Sequence, residues 1–287
     1  KDTVRPLWIA VGTAALNLVL EIIFIYGFGL NIGASAAATV MAQWVGAFLY
    51  LLLIGQAIIP HRVPLGPDFR AITQLLRVAW ELFIRNFSLA GTFLVATSVA
   101  TRIGDTEVAA HQVAYQAWFM LAMAMDAMAI AAQALVGNLL GSGEAEQARR
   151  VGQRTIVWSV GIGVIGGGVL AAVHTPLAQL FSNDQSVVAL TGFLFMHVAL
   201  MAPLSGIAFA LDGILIGAGD QNFLAKVMTG AAAVTITLML ATRFLDLGIG
   251  WLWAAIWIFI VFRSLLLGLR FLRGGWQVVG SSRIHEI

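Results

Sequence analysis

A chain of 287 residues that is 60% hydrophobic and only 10% charged cannot hide its apolar surface from water, since soluble domains run at about 25% charged. The bilayer must therefore be its solvent, and a soluble enzyme or scaffold is excluded. A net charge of +2 is too small to suggest a nucleic-acid partner, and the absence of cysteine excludes disulfides and thiolate metal sites.

A helix needs about 20 apolar residues to cross a bilayer. Eight stretches reach that length: 8–29, 34–59, 77–101, 108–139, 153–173, 187–216, 223–242 and 249–271. The opening KDTVRPLW lacks the pattern of a secretory leader, and Lys1 is not expected to be the natural start. The first span holds ALNLVLEIIFIYGF (15–28), in which Asn17 and Glu21 stand four residues apart on one helical face. Glu21 lies roughly 21 Å along the helix from the membrane edge at 1.5 Å per residue. A charge held in the hydrocarbon costs roughly 2.5–3.5 kcal/mol on insertion scales. A carboxyl avoids that cost by binding a proton, which makes an intramembrane acid a natural proton carrier. A structural Glu held by a hydrogen bond between helices is the plainer alternative.

After the second span, PHRVPLGPDFR (60–70) carries three prolines and flanking arginines and reads as a linker. The third span contains Arg85, with Glu81 one turn before it. The fourth contains Asp126 at a depth similar to that of Arg85, so the two are expected to pair, with Glu81 as the competing partner. Asp126 then serves either that pair or a cavity. His111 and Gln112 open this long span, where a hydrogen-bonded histidine is the ordinary expectation. In the fifth span Gly161, Gly163 and Gly166 fit G-x-G-x-x-G, but no strand precedes them, and close helix packing explains them better. Breakers at HTP (174–176) and SND (182–184) are expected to follow. The sixth span contains Pro203, a candidate hinge. It also contains Asp212, for which a direct transport role competes with hydrogen bonding at a helix break permitted by Gly213, Gly217 and Gly219. Trp118, Phe119, Met120, Met123, Met125 and Met128 could line an adaptable cavity, although lipid or core packing is the plainer assignment for any one of them.

Thirteen of the 16 Lys and Arg residues, Arg263 among them, fall on one side when alternate loops are taken. Only Arg102 and Arg243 fall on the other. The positive-inside rule then makes both ends cytoplasmic. Residues 2–21 and 220–239 repeat weakly, with Asp2/Asp220, Gly12/Gly230, Ala14/Ala232 and Ala15/Ala233 coincident; LNIGASAA (30–37) likewise meets LGIGWLWA (247–254). Repeats of this kind mark secondary transporters. If residues 70–219 also have a counterpart, it precedes Lys1, and the chain is expected to be part of a twelve-span protein.

RNFSLAGTF (85–93), AAHQ (109–112), MDAMAIAAQALVGNLLGSG (125–143), LDGILIGAGD (211–220) and GIGWLWAAIWIFIVFR (248–263) resemble the multidrug and toxic compound extrusion (MATE) family, and most closely its DinF-like branch. The resemblance implies an all-α polytopic membrane protein with eight transmembrane helices here, from a twelve-helix, two-lobe fold. Residues 1–59 would be the last two helices of the N-lobe, 60–76 a cytoplasmic linker, 77–273 a six-helix C-lobe and 274–287 a cytoplasmic tail. It implies a cation-coupling site at Asn17 and Glu21, although the family's usual acid is Asp. Arg85, Asp126 and Asp212 are candidate C-lobe polar sites. The corresponding stretch NFSLAGTFLV (86–95) lacks the acid that sodium-coupled relatives use, which favours H+ over Na+.

The activity implied is antiport of amphipathic or cationic organic compounds against protons or sodium, by a monomer with no enzymatic role, metal or other cofactor. The membrane implied is the bacterial cytoplasmic (inner) membrane. A flippase for a lipid-linked precursor is the alternative and would call for a strongly cationic cavity.

Overall fold

The computed structural model describes residues 4–58, 66 and 68–279. Every regular element among them is helical: α1 (Val4–Ile22, running on as a π-helical turn, Ile23–Gly27), α2 (Ile32–Ile58), α3 (Phe69–Ile103), α4 (Asp105–Gly141), α5 (Ala145–Phe181), α6 (Gln185–Gly217), α7 (Gln221–Phe244) and α8 (Ile249–Arg273). All eight are long and apolar enough to cross a membrane. The eight expected spans are therefore present, but several helices outrun them. α4 and α5 have 37 residues each, or about 55 Å against a hydrocarbon core of about 30 Å. α5 does not stop at His174: it passes through Pro176 to Phe181. A proline is tolerated there because neighbouring groups can satisfy the freed backbone carbonyl of a membrane helix. α3 starts at Phe69, so residues 69–76 of the expected linker are helical. Lys1, Asp2, Arg62, Arg283, and with them most of the proline-rich linker and the end of the tail, lie outside the described residues.

The chain divides into two compact units, Lys1–Phe69 and Arg70–Ile287. The first is the α1–α2 hairpin. Thr13 of α1 reaches α2 so closely that a Cβ at Gly46 would sit 2.7 Å from its hydroxyl. The Tyr50 hydroxyl donates to the Pro6 carbonyl at 3.0 Å. The π turn follows Glu21 almost directly, with the Phe28 N–H bonded to the Ile23 carbonyl at 3.0 Å.

In the second unit α6 is the central element, packed by α4, α5, α7 and α8. Glycines permit this. A Cβ at Gly206 would lie 2.4 Å from the Ser159 carbonyl oxygen, at Gly213 2.2 Å from that of Ala129, and at Gly217 2.4 Å from that of Gln133. From α5, Gly163 meets the backbone of Ala202 and Pro203, and Gly167 meets the Ala199 carbonyl. In lipid, where apolar burial does not drive association, close backbone approach of this kind holds helices together. Gly163 thus packs as expected, whereas Gly161 faces open space.

α8 ends in a left-handed Gly274, and the chain folds back under the unit. Trp276 is fully buried and stacks on Phe271 at 5.3 Å, and its indole N–H donates to the Phe271 carbonyl. The Gln277 amide then donates to the Ala145 carbonyl at the head of α5 at 3.2 Å.

Candidate functional site

Each unit holds its own polar cluster. In the hairpin, Glu21 is half-buried and accepts a hydrogen bond of 2.6 Å from the Ser35 hydroxyl on α2. The acid is therefore held by a serine across the hairpin, and no bond joins it to Asn17. Asn17 lines a cleft of about 540 Å³ with Thr13, Thr39, Gln43 and Tyr50. Thr13 and Thr39 spend their hydroxyls on the Ile9 and Ser35 carbonyls of their own helices. The Asn17 amide oxygen is buried with no partner among the described residues. A lone buried acceptor one turn from a carboxylate suits a cation, or a proton carried with water.

In the six-helix unit, Asp212 is 2% exposed and its Oδ2 accepts from two guanidiniums: Arg85 Nη2 at 2.6 Å and Arg263 Nη2 at 2.5 Å. Arg263 is wholly buried, with its guanidinium carbon 5.3 Å from the centroid of Phe259 and 5.9 Å from that of Phe209. Three expectations are corrected here. Arg85 pairs with Asp212 and with Asn86, at 2.7 Å, and not with Asp126. Glu81 turns to Arg77 (3.7 Å) and Asn222 (3.0 Å). α6 runs unbroken to Gly217, so Asp212 does not bond at a helix break. Arg263 also leaves the count of basic residues at membrane edges, because it sits ten positions inside the end of α8.

Asp126 is half-buried, and no hydrogen bond or ion pair reaches it among the described residues. It lines an open cavity of about 390 Å³ between α3, α4 and α6, together with Arg85, Asn86, Met123 and five aromatic rings: Phe93, Tyr115, Trp118, Phe119 and Phe209. Phe93 packs on Trp118 with centroids 4.6 Å apart, and Trp118 lies 6.3 Å from Phe209. The cavity therefore offers π faces and one carboxylate that has no partner of its own. Further along, His111 is buried and hydrogen-bonded to Thr97 at 3.2 Å, as its sequence position suggested. Pro203 lies inside α6. Its ring removes the N–H that the Ala199 carbonyl would otherwise accept, and that carbonyl is the one facing Gly167.

Sequence reasoning missed Ser35 and Arg263. Nothing in IGASAAA identifies Ser35 until α2 is paired with α1. Arg263 did carry a signal, because it falls inside the apolar run 249–271, where an unpaired guanidinium would not be tolerated.

Eight long apolar helices with acids and arginines paired inside them define a polytopic membrane protein of the secondary-transporter class. The chain belongs to the MATE family: the MatE family model matches residues 82–241. "Protein DETOXIFICATION 44, chloroplastic" of Arabidopsis thaliana is 33% identical over 97% of this chain and 51% of its own length. A "Probable multidrug resistance protein NorM" of Thermotoga maritima is 24% identical over all of this chain and 64% of its own. The crystal structure of the eukaryotic MATE transporter AtDTX14 superposes with a TM-score of 0.83 at 20% identity, covering 95% of this chain and 62% of that one. The fold is thus part of the MATE fold, and the chain spans about half the length of the curated plant relatives it matches.

Proposed function

We propose that the protein is a proton-driven antiporter that exports amphipathic organic cations, with Asn17 and Glu21 as the coupling site and the α3–α4–α6 cavity as a substrate site. The observation that carries this reading is the cavity itself. Five aromatic rings line it together with one half-buried carboxylate, Asp126, that has no partner among the described residues. A cation over an aromatic face gains about 0.5–2 kcal/mol, and Asp126 supplies the opposite charge. Asp212, by contrast, already carries two guanidiniums on Oδ2, whose charge disfavours a metal cation there. This points coupling to the hairpin and to H+ rather than Na+.

In this scheme a proton reaching Glu21 neutralises it and releases Ser35, the hairpin repacks, and the substrate leaves. α1–α2 are then the last two helices of the N-lobe and α3–α8 the C-lobe, in a monomer with both ends cytoplasmic in a bacterial inner membrane or another membrane carrying a proton gradient. The flippase reading is not favoured. It calls for a strongly basic cavity, whereas Arg85 is tied to Asp212 and the remaining charge in the wall is an acid.

The test is export of a fluorescent organic cation from sodium-free vesicles carrying the complete protein under an imposed pH gradient. Glu21→Gln should abolish export, and Asp126→Asn should raise KM for the cation about tenfold. Unchanged export in Glu21→Gln, or export only when sodium is added, overturns the proton assignment.

A further inference from the structure

α3 and α7 lie side by side and parallel. Asn222 donates to Glu81 at 3.0 Å, and Ser88 meets Thr229 at 3.3 Å, both pairs 141 residues apart in sequence. These rungs are seven residues apart, two turns of helix, so the same face is presented each time. The same offset places Val95 beside Ile236, and seven residues later it places Arg102 beside Arg243. The ladder thus ends on two like charges, and both arginines line one groove of about 390 Å³ with Ser98, Leu240, Phe244 and Asp246.

Each arginine sits in the last turn of its helix, where it complements the helix dipole. That accounts for each singly but not for their meeting in one groove. Arg102 has no partner among the described residues. Arg243 has only Asp246, at 3.8 Å and with the Asp246 side chain 94% exposed, a contact worth little in water. No other Lys or Arg of the six-helix unit lies at this end of the bundle among the described residues. The groove therefore keeps a net positive charge at the helix ends, the level of the lipid phosphates. Further from the helix ends, Val95 and Leu240 give the same groove an apolar wall.

We propose that this groove binds the phosphodiester of an anionic phospholipid, held between Arg102 and Arg243, with its acyl chains along Val95 and Leu240. A basic pocket between helices over an apolar wall is the chemistry such headgroups require.

Purified protein in detergent is titrated with phosphatidylglycerol, phosphatidylcholine or inorganic phosphate, and bound lipid is counted by native mass spectrometry, with thermal melting as the check on folding. Phosphatidylglycerol should bind the wild type and weaken at least about tenfold in R102Q/R243Q, while phosphatidylcholine binds weakly to both. D246N removes the competing carboxylate and should bind phosphatidylglycerol severalfold more tightly, an effect that a misfolded variant would not produce. Equal phosphatidylglycerol binding in wild type and R102Q/R243Q overturns the proposal, as does weaker binding in D246N. Stabilisation by inorganic phosphate equal to that by lipid also overturns it, since the groove would then be a site for free anions.

Discussion

Asp212 carries two guanidiniums on one oxygen, so the cluster holds one positive charge more than it needs for neutrality. The consequences of substitution are therefore unequal. Asp212→Asn leaves two buried cations without a counter-charge and should destabilise the unit by about 3–5 kcal/mol in detergent unfolding. Arg263→Met leaves the neutral Arg85–Asp212 pair and an apolar side chain among Phe209 and Phe259, and should cost less than about 2 kcal/mol. Equal losses would mean that the cluster is not held by charge balance. In the hairpin, Ser35→Ala removes the donor that holds Glu21. Export should fall severalfold but survive, unlike in Glu21→Gln. Outside the spans, Asp184 caps α6, and hydrogen bonds from the Ser186 hydroxyl and N–H hold its carboxyl below the usual carboxylate range. A lowered folded-state value means that its stabilisation is present above the unfolded value and is lost as pH falls through the folded one. Melting of Asp184→Ala should thus trail wild type at neutral pH and converge with it in acid. Glu21, Arg85 and Asp212 could be picked out in the sequence because charges in apolar runs stand out. Which of them pair, and the partners Ser35 and Arg263, could not, because pairing between helices depends on packing that no periodicity records.

At the scale of the elements, the tight seams are made by glycine. Gly206→Val would drive a side chain into the Ser159 carbonyl and should destabilise by about 1–3 kcal/mol, whereas Gly161→Val, facing open space, should be neutral. Pro203→Ala returns the missing N–H to the Ala199 carbonyl. If that turn is a hinge, export should slow while melting temperature rises; a higher melting temperature with unchanged export would make Pro203 a packing residue only. Helix number and order were legible because each span is a long apolar run. Helix ends were less so, since a bilayer sets a minimum length and leaves the maximum open: α5 crosses Pro176 and α3 begins at Phe69. Proline and charge are breakers in water, but they are weaker evidence where a helix continues past the hydrocarbon.

For the whole molecule, the absence of cysteine makes topology directly measurable. Single cysteines at Ser142, between α4 and α5, and at Ser182, between α5 and α6, should be labelled from opposite faces by an impermeant maleimide, Ser142 only from the cytoplasm. The reverse result would invert the orientation drawn from the arginines. The chain matches about half of its plant relatives' length, so the transport assays above belong to the complete protein, whereas the stability tests act on contacts contained within one unit.

The fold-back at Trp276 bears on how the six-helix unit is made. Helices enter a membrane in order of synthesis, and the seam where Phe271 of α8 meets Gly152 of α5 closes when Trp276 stacks on that ring and Gln277 bonds the Ala145 carbonyl. Until they emerge from the ribosome, the groove beside Phe271 stays unfilled and the Ala145 carbonyl lacks that donor. A nascent chain stalled before Trp276 would carry all six helices without this clasp. In such a chain the Phe271 ring would stay uncovered, so the unit closes only after its last helix has been made.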